Sequence, residues 1–277
     1  MMSATRKVSY CVAVSDEILG DGAPVPLQGD FSKTFAQAAE LGFDSVELHI
    51  RNPDSYDKTR LKDLCAKHNI RIAALGTGLE FGMNNHCLTS PDPENRREMA
   101  RRLRSYIDLA CEFDAVVFIG LLRGKAPSNA EVRNYLDLFA REMVDIASYA
   151  AAKNVSLGLE PIVFYMTNLI NTTQDGIDFI QRPGLGTIDF LLDTHHMFIE
   201  DSDMIESFRL TAGKIAHIHI SDSNRRYPGG GNVDYDAVGK ILKAIGYQGA
   251  VSLEIIPYPD GTRAAKNGIE WMKRVWG

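Results

Sequence analysis

The chain has 277 residues, 45% of them hydrophobic, enough to bury the core of one α/β barrel or two ordinary domains. A formal charge of −6 and a pI near 5.7 argue against a dedicated nucleic-acid binder, which would carry a basic stripe. No run approaches a membrane span, and Asp16 and Glu17 interrupt the opening MMSATRKVSYCVAVSDEIL before a leader-type apolar region is complete. The four cysteines, Cys11, Cys65, Cys87 and Cys111, show no CxxC spacing and read as reduced thiols or core fillers. A soluble cytoplasmic protein is the expectation.

Strand-like apolar runs alternate with amphipathic helical stretches along the whole chain. The predicted strands lie near 7–14, 44–50, 70–76, 115–121, 155–160, 187–193, 214–220 and 250–256. The predicted helices lie near 31–42, 57–69, 94–114, 128–153, 172–182, 201–211, 234–246 and 261–275. Eight βα units of roughly 30–40 residues each match a (β/α)₈ TIM barrel. No Pro/Gly/Ser-rich linker or charge block divides the chain, so residues 1–277 read as one domain.

Within the second predicted strand, Val46, Leu48 and Ile50 fall on one face and Ser45, Glu47 and His49 on the other. The apolar set belongs under the helices and the polar set inside the barrel. His217 and His219 likewise share one face of the seventh strand. Inward polar groups cost free energy unless they are paired or bound, which makes Glu47 and His49 candidate substrate contacts. The plain alternative is that they hydrogen-bond each other or water. Glu160, Asp193, His219 and Glu254 stand near the C-terminal ends of four successive strands, where parallel barrels gather their chemistry. Three carboxylates and an imidazole suit a hard or borderline divalent cation: Mn²⁺, Mg²⁺, Co²⁺ or Zn²⁺.

The segments LGLEP, LLDTHHM, HIHISDSNRRYPGGG and VSLEIIP, in this order on four successive units, resemble the xylose-isomerase-like TIM-barrel superfamily of sugar isomerases and epimerases. The resemblance covers nearly the whole chain and is greatest to ketose 3-epimerases and keto-sugar-acid epimerases. It implies Glu160, Asp193, His219 and Glu254 as ligands of a divalent metal, Mn²⁺ foremost. It also implies His196 and Arg225 as substrate contacts, while strand parity points His195 away from the site. A small carbohydrate is the implied partner, with no nucleic acid or membrane, and a homo-oligomer (dimer or tetramer) is expected. One departure stands out. Relatives often read E-P-x-N-R-Y-E-T-N after the fifth strand, where this chain has Val163-Phe164 for Asn-Arg and Met166 for the second Glu. An apolar wall there would suit a substrate with a less polar part.

A divalent ion polarising a carbonyl and the neighbouring hydroxyl acidifies the C–H between them and stabilises an enediolate. Glu160 and Glu254 are the natural pair of catalytic carboxylates to remove and return that proton. The expected function is therefore metal-dependent epimerisation or isomerisation of a keto-sugar or sugar acid. The alternatives are a lyase or dehydratase on the same site, including cleavage of an oxidised sugar from an aromatic group, and a non-catalytic sugar-binding barrel. No G-x-S-x-G elbow, P-loop or G-x-G-x-x-G opens a helix. The segments 15–30 and Glu80–His86 are predicted loops at the catalytic mouth, either covering the pocket or merely solvated.

Overall fold

A computed structural model describes residues 8–84 and 86–276. Eight parallel strands close into a barrel: β1 Ser9–Ser15, β2 Ser45–His49, β3 Arg71–Gly76, β4 Val116–Ile119, β5 Leu157–Leu159, β6 Asp189–Asp193, β7 Ile215–His219 and β8 Ala250–Leu253. Each pairs with the next, and β8 returns to β1 through Ser9↔Ala250 to Val12↔Leu253, so no barrel edge is left unpaired. The first predicted strand began at Lys7, which lies outside the described residues.

Among the described residues ten α-helices accompany the strands: α1 Phe31–Leu41, α2 Lys58–His68, α3 Gly78–Asn84, α4 Pro93–Cys111, α5 Val132–Ala152, α6 Thr173–Ile180, α7 Thr194–Glu200, α8 Met204–Leu210, α9 Tyr235–Ala244 and α10 Gly261–Trp276. Short acidic or hydroxyl side chains set many of their starts. Asp30, Asp57, Asp92, Asp203 and Asp234 each accept from a backbone N–H in the first turn, and Thr172 with Asp175 forms a reciprocal capping box. In α5 the buried side chains Phe139, Met143, Ile146, Ala147 and Ala150 recur at helical spacing and face the sheet. The main core lies in this layer and includes Val46, Leu48, Phe35, Leu61 and Tyr106. A smaller apolar cluster, Ala74, Phe118 and Leu191, fills the barrel interior beneath the polar groups.

Three expectations change. The single helix predicted near 201–211 is α8 preceded by a separate short helix, α7, which starts directly at the end of β6. Asp193 caps α7 by accepting from His195 N, so a predicted ligand also initiates the helix that carries both neighbouring histidines. Segment 15–30 is also more ordered than a solvated loop. Leu27–Gln28 pairs in parallel with Val14 and Ser15, and the Gln28 amide oxygen accepts from Leu19 N at 2.7 Å. The stretch after β3 is helix α3, where Glu80 is buried against Arg102 and His86; Asn85 lies outside the described residues. Among the described residues no helix is long and apolar enough to cross a membrane.

Candidate metal centre

Four strand ends deliver the site. Glu160 follows β5, Asp193 ends β6, His219 ends β7 and Glu254 follows β8. All four are buried, and one ligand atom from each lies within 4.8 Å of the others. Nδ1 of His219 is 3.4 Å from Glu160 Oε1, 3.3 Å from Glu254 Oε2 and 3.8 Å from Asp193 Oδ2. Yet Nδ1 makes no hydrogen bond, although it carries no exposed surface. A buried nitrogen without a hydrogen-bond partner, facing three carboxylates, is what a divalent cation would satisfy. The donor set fits a cation that accepts both oxygen and imidazole.

The other side of the His219 ring explains its direction. Nε2 lies 3.0 Å from Oε2 of Glu47, which also meets His217 Nε2 at 2.6 Å; Glu47 Oε1 meets His49 Nε2 at 2.7 Å. A carboxylate accepting from one ring nitrogen fixes the tautomer and leaves the other nitrogen's lone pair for a metal. Phe118 packs edge-on against the His219 ring at 5.1 Å between centroids and limits its rotation. The two faces of β2 sort as expected, but Glu47 has no exposed surface, and both its oxygens are occupied by imidazoles. It is thus not free to meet a substrate, and the alternative of hydrogen bonding to His49 is the arrangement observed. His49 itself stands 3.9 Å from Glu254 Oε1.

Charge dominates the local chemistry. Burial works to lower the His219 pKa, but the charges of Glu47 and Glu254 carry it well above its ordinary value, so a cation binding at Nδ1 would displace a proton. Burial likewise raises the Glu47 carboxyl, and the His219 charge with three imidazole hydrogen bonds outweighs it, holding Glu47 well below the usual range. Glu160 is pushed up by burial, with Glu254 and Asp193 adding to the push against the opposing pull of His219. Burial works to raise Glu254 too, but the charges of His219 and Arg225 draw it down. The same two carboxylates that flank His219 therefore sit in different fields.

Arg225, in the loop after β7, reaches back over the cluster and pairs with both Asp193 and Glu254. His196, in the first turn of α7, places Nε2 at 3.8 Å from Glu160 Oε1 and 3.7 Å from Asp193 Oδ2, and burial depresses its pKa to about 3. His195 turns away from the cluster: its ring contacts Tyr165 Oη at 3.2 Å and the Asp222 carbonyl at 3.2 Å. Its direction follows from a helix, not from strand parity. The segment expected as a continuous apolar wall is divided, with Val163 fully buried while Phe164 and Met166 are 64% and 40% exposed.

Two residues beyond the sequence reading shape the site. Arg123 is wholly buried and donates to the backbone carbonyls of Glu160 at 2.6 Å, Leu169 at 2.8 Å and Ile170 at 3.2 Å, bracing the strand end that carries Glu160. A charged residue within the apolar run IGLLRG was the available signal. The other is Gly120, where an added Cβ would lie 2.7 Å from Glu160 Oε2.

A model of the xylose isomerase-like TIM barrel matches residues 35–275. The chain belongs to this family. It is 32% identical to an L-ribulose 3-epimerase of Methylomonas sp. (strain DH-1) over 236 residues, covering 82% of this chain and 80% of that protein. It is 31% identical to a ketose 3-epimerase of Arthrobacter globiformis, covering 78% of this chain and 74% of the relative. Among solved structures, a D-allulose 3-epimerase from Methylomonas sp. in complex with D-allulose superposes with a TM-score of 0.80 at 25% identity, covering 98% of both chains. A shorter match, 30% over 125 residues, reaches 45% of this chain and 48% of a 3-dehydro-D-guloside 4-epimerase of Escherichia coli (strain K12). The chain is an enzyme, since the relatives matched over most of its length are sugar epimerases.

Proposed function

We propose that this enzyme is a divalent-metal-dependent epimerase of a free ketose, acting at the carbon beside the keto group. The observation that carries the reading is the placement of Glu160 and Glu254, from strands β5 and β8, on Nδ1 of His219 at 3.4 and 3.3 Å. The similarity to ketose 3-epimerases supports it and favours epimerisation over a lyase reaction. When bound, a divalent cation such as Mn²⁺ acts as a Lewis acid that lowers the cost of losing a proton beside a carbonyl. Glu160, Asp193, His219 and Glu254 would hold it.

The remaining work falls to the chain's own side chains. One of Glu160 and Glu254 takes the proton from one face of the carbon, and the other returns a proton to the opposite face, inverting the centre. Arg225 supplies a fixed cationic fork for a substrate oxygen, and His196 a ring nitrogen beside Glu160 and Asp193. His196 is buried and Arg225 partly so, which limits competing water and strengthens each of these interactions.

The exposed Phe164 and Met166, where relatives often carry Arg and Glu, favour a second substrate, a keto-sugar bearing an apolar or glycosidic group. The partial similarity to a 3-dehydro-D-guloside 4-epimerase supports it. Incubation with Mn²⁺ in D₂O, with D-psicose and a 3-keto-glucoside as substrates, tests the proposal. Deuterium is expected at the inverted carbon, at rates falling by about 10²–10⁴-fold in Glu160→Gln and Glu254→Gln. Inversion without solvent deuterium, or either variant within about threefold of wild type, would contradict the assigned proton transfer.

A further inference from the structure

The loop between β7 and α9 carries Arg225, and its shape depends on a residue with no role so far. Asp222 has no exposed surface. Its Oδ1 accepts from Ser223 N at 2.7 Å and Val233 N at 3.1 Å, and Oδ2 accepts from Gly229 N at 2.8 Å. One carboxylate thus ties together the beginning, middle and end of the loop. The backbone of Asp222 adds to this: its N–H donates to Arg226 O at 2.9 Å, and its carbonyl accepts from Arg225 N at 2.8 Å.

Between these ties Arg225 adopts a left-handed backbone with φ of 60°. That conformation is disfavoured for a non-glycine residue and persists only where the surroundings fix it. From this backbone the guanidinium reaches Asp193 and Glu254. Packing at the far end of the loop is equally tight: a Cβ on Gly231 would overlap both Asp222 Oδ1 and Ser223 Oγ. A carboxylate suits three converging N–H groups because it only accepts, and its charge strengthens each bond.

We infer that Asp222 is the positioning residue for Arg225, gathering the loop backbone so that the guanidinium stands over the carboxylate cluster before substrate arrives. This rests on the ketose epimerase reading for its effect on turnover, but not for its effect on the loop. An amide at this position keeps the shape of the side chain while setting an NH₂ donor against a backbone N–H, so Asp222→Asn is the conservative disruption.

The first arm is a double-mutant cycle on D-psicose with Mn²⁺. Asp222→Ala is expected to lower kcat/KM by about 10–100-fold, the range for residues that orient a site from behind, chiefly through KM. In an Arg225→Ala background the same change should cost less than about threefold, because the positioned group is gone. The second arm needs no activity. In Mg²⁺-loaded Asp222→Asn, amide exchange at Ser223, Gly229 and Val233 should accelerate, and the Arg225 Nη–H resonance should move to that of a solvated arginine, with the strand amides unchanged. Fully additive losses in the cycle, or an Arg225 resonance that stays in place in Asp222→Asn, would overturn the inference. Absence of ketose turnover in the wild type would remove the function reading, and the resonance and exchange data would still decide the role of Asp222.

Discussion

Nε2 of His219 lies 3.0 Å from Oε2 of Glu47, and that contact points Nδ1 at the carboxylates of Glu160, Asp193 and Glu254. The imidazole of the candidate metal centre is therefore oriented by a residue outside the four candidate ligands. Glu47→Gln keeps the volume but replaces one acceptor oxygen with a donor facing an imidazole. Mn²⁺ affinity measured by calorimetry is expected to fall by about 10–100-fold, the usual effect of losing such a partner. Unchanged affinity would show that Phe118 and the ring's packing alone orient His219.

Gly120 offers a steric test of the same centre. In Gly120→Ala the new methyl would stand 2.7 Å from Glu160 Oε2 and 3.4 Å from Ile162 Cδ1, so Glu160 must move. The expected result is Mn²⁺ binding weakened by about tenfold. A large loss of stability with normal metal binding would place the clash elsewhere.

Arg123→Met tests the brace behind Glu160. The guanidinium is fully buried and its hydrogen bonds go to carbonyl oxygens, including those of Glu160, Leu169 and Ile170. Methionine fills much of the space but removes these donors; Ile170 O keeps Ile162 N at 3.2 Å, while the carbonyls of Glu160 and Leu169 lose the guanidinium, each costing about 1–3 kcal/mol. Urea unfolding should show a loss of about 3 kcal/mol or more. A loss below about 1 kcal/mol would mean that the carbonyls find other partners.

These residues show what the sequence disclosed and what it withheld. The barrel was legible because its inward and outward residues alternate with period two, as in Ser45–Ile50, and because the helices between strands begin at acidic or hydroxyl caps. The four candidate ligand positions were read from their place at the ends of apolar runs, and the structure brings those side chains together. The partnership of Glu47 with His217 and His219 was not, since it joins strands 170 and 172 residues apart across the barrel and follows only from closure. Helix α7 was hidden because THHMFIE follows the strand without a break, and its cap is Asp193, read only as a ligand. Asp222 was passed over because its partners are backbone N–H groups, which leave no side-chain signature.

Met166→Glu examines specificity. Met166 is 40% exposed and occupies the position at which relatives often carry a second Glu. A carboxylate there is expected to shift the ratio of kcat/KM for D-psicose over a 3-keto-glucoside at least tenfold toward the ketose, about 1.4 kcal/mol of transition-state preference. An unchanged ratio would show that this side chain does not reach the substrate.

The central claim is that Glu160, Asp193, His219 and Glu254 together hold one catalytic divalent cation. Metal-stripped protein titrated with Mn²⁺, with turnover of D-psicose followed in parallel, tests it most directly. The account predicts one tightly bound ion per chain, activity rising in proportion to occupancy, and loss of both in Asp193→Asn. Full activity in excess chelator, or stoichiometric binding retained by Asp193→Asn, would contradict it.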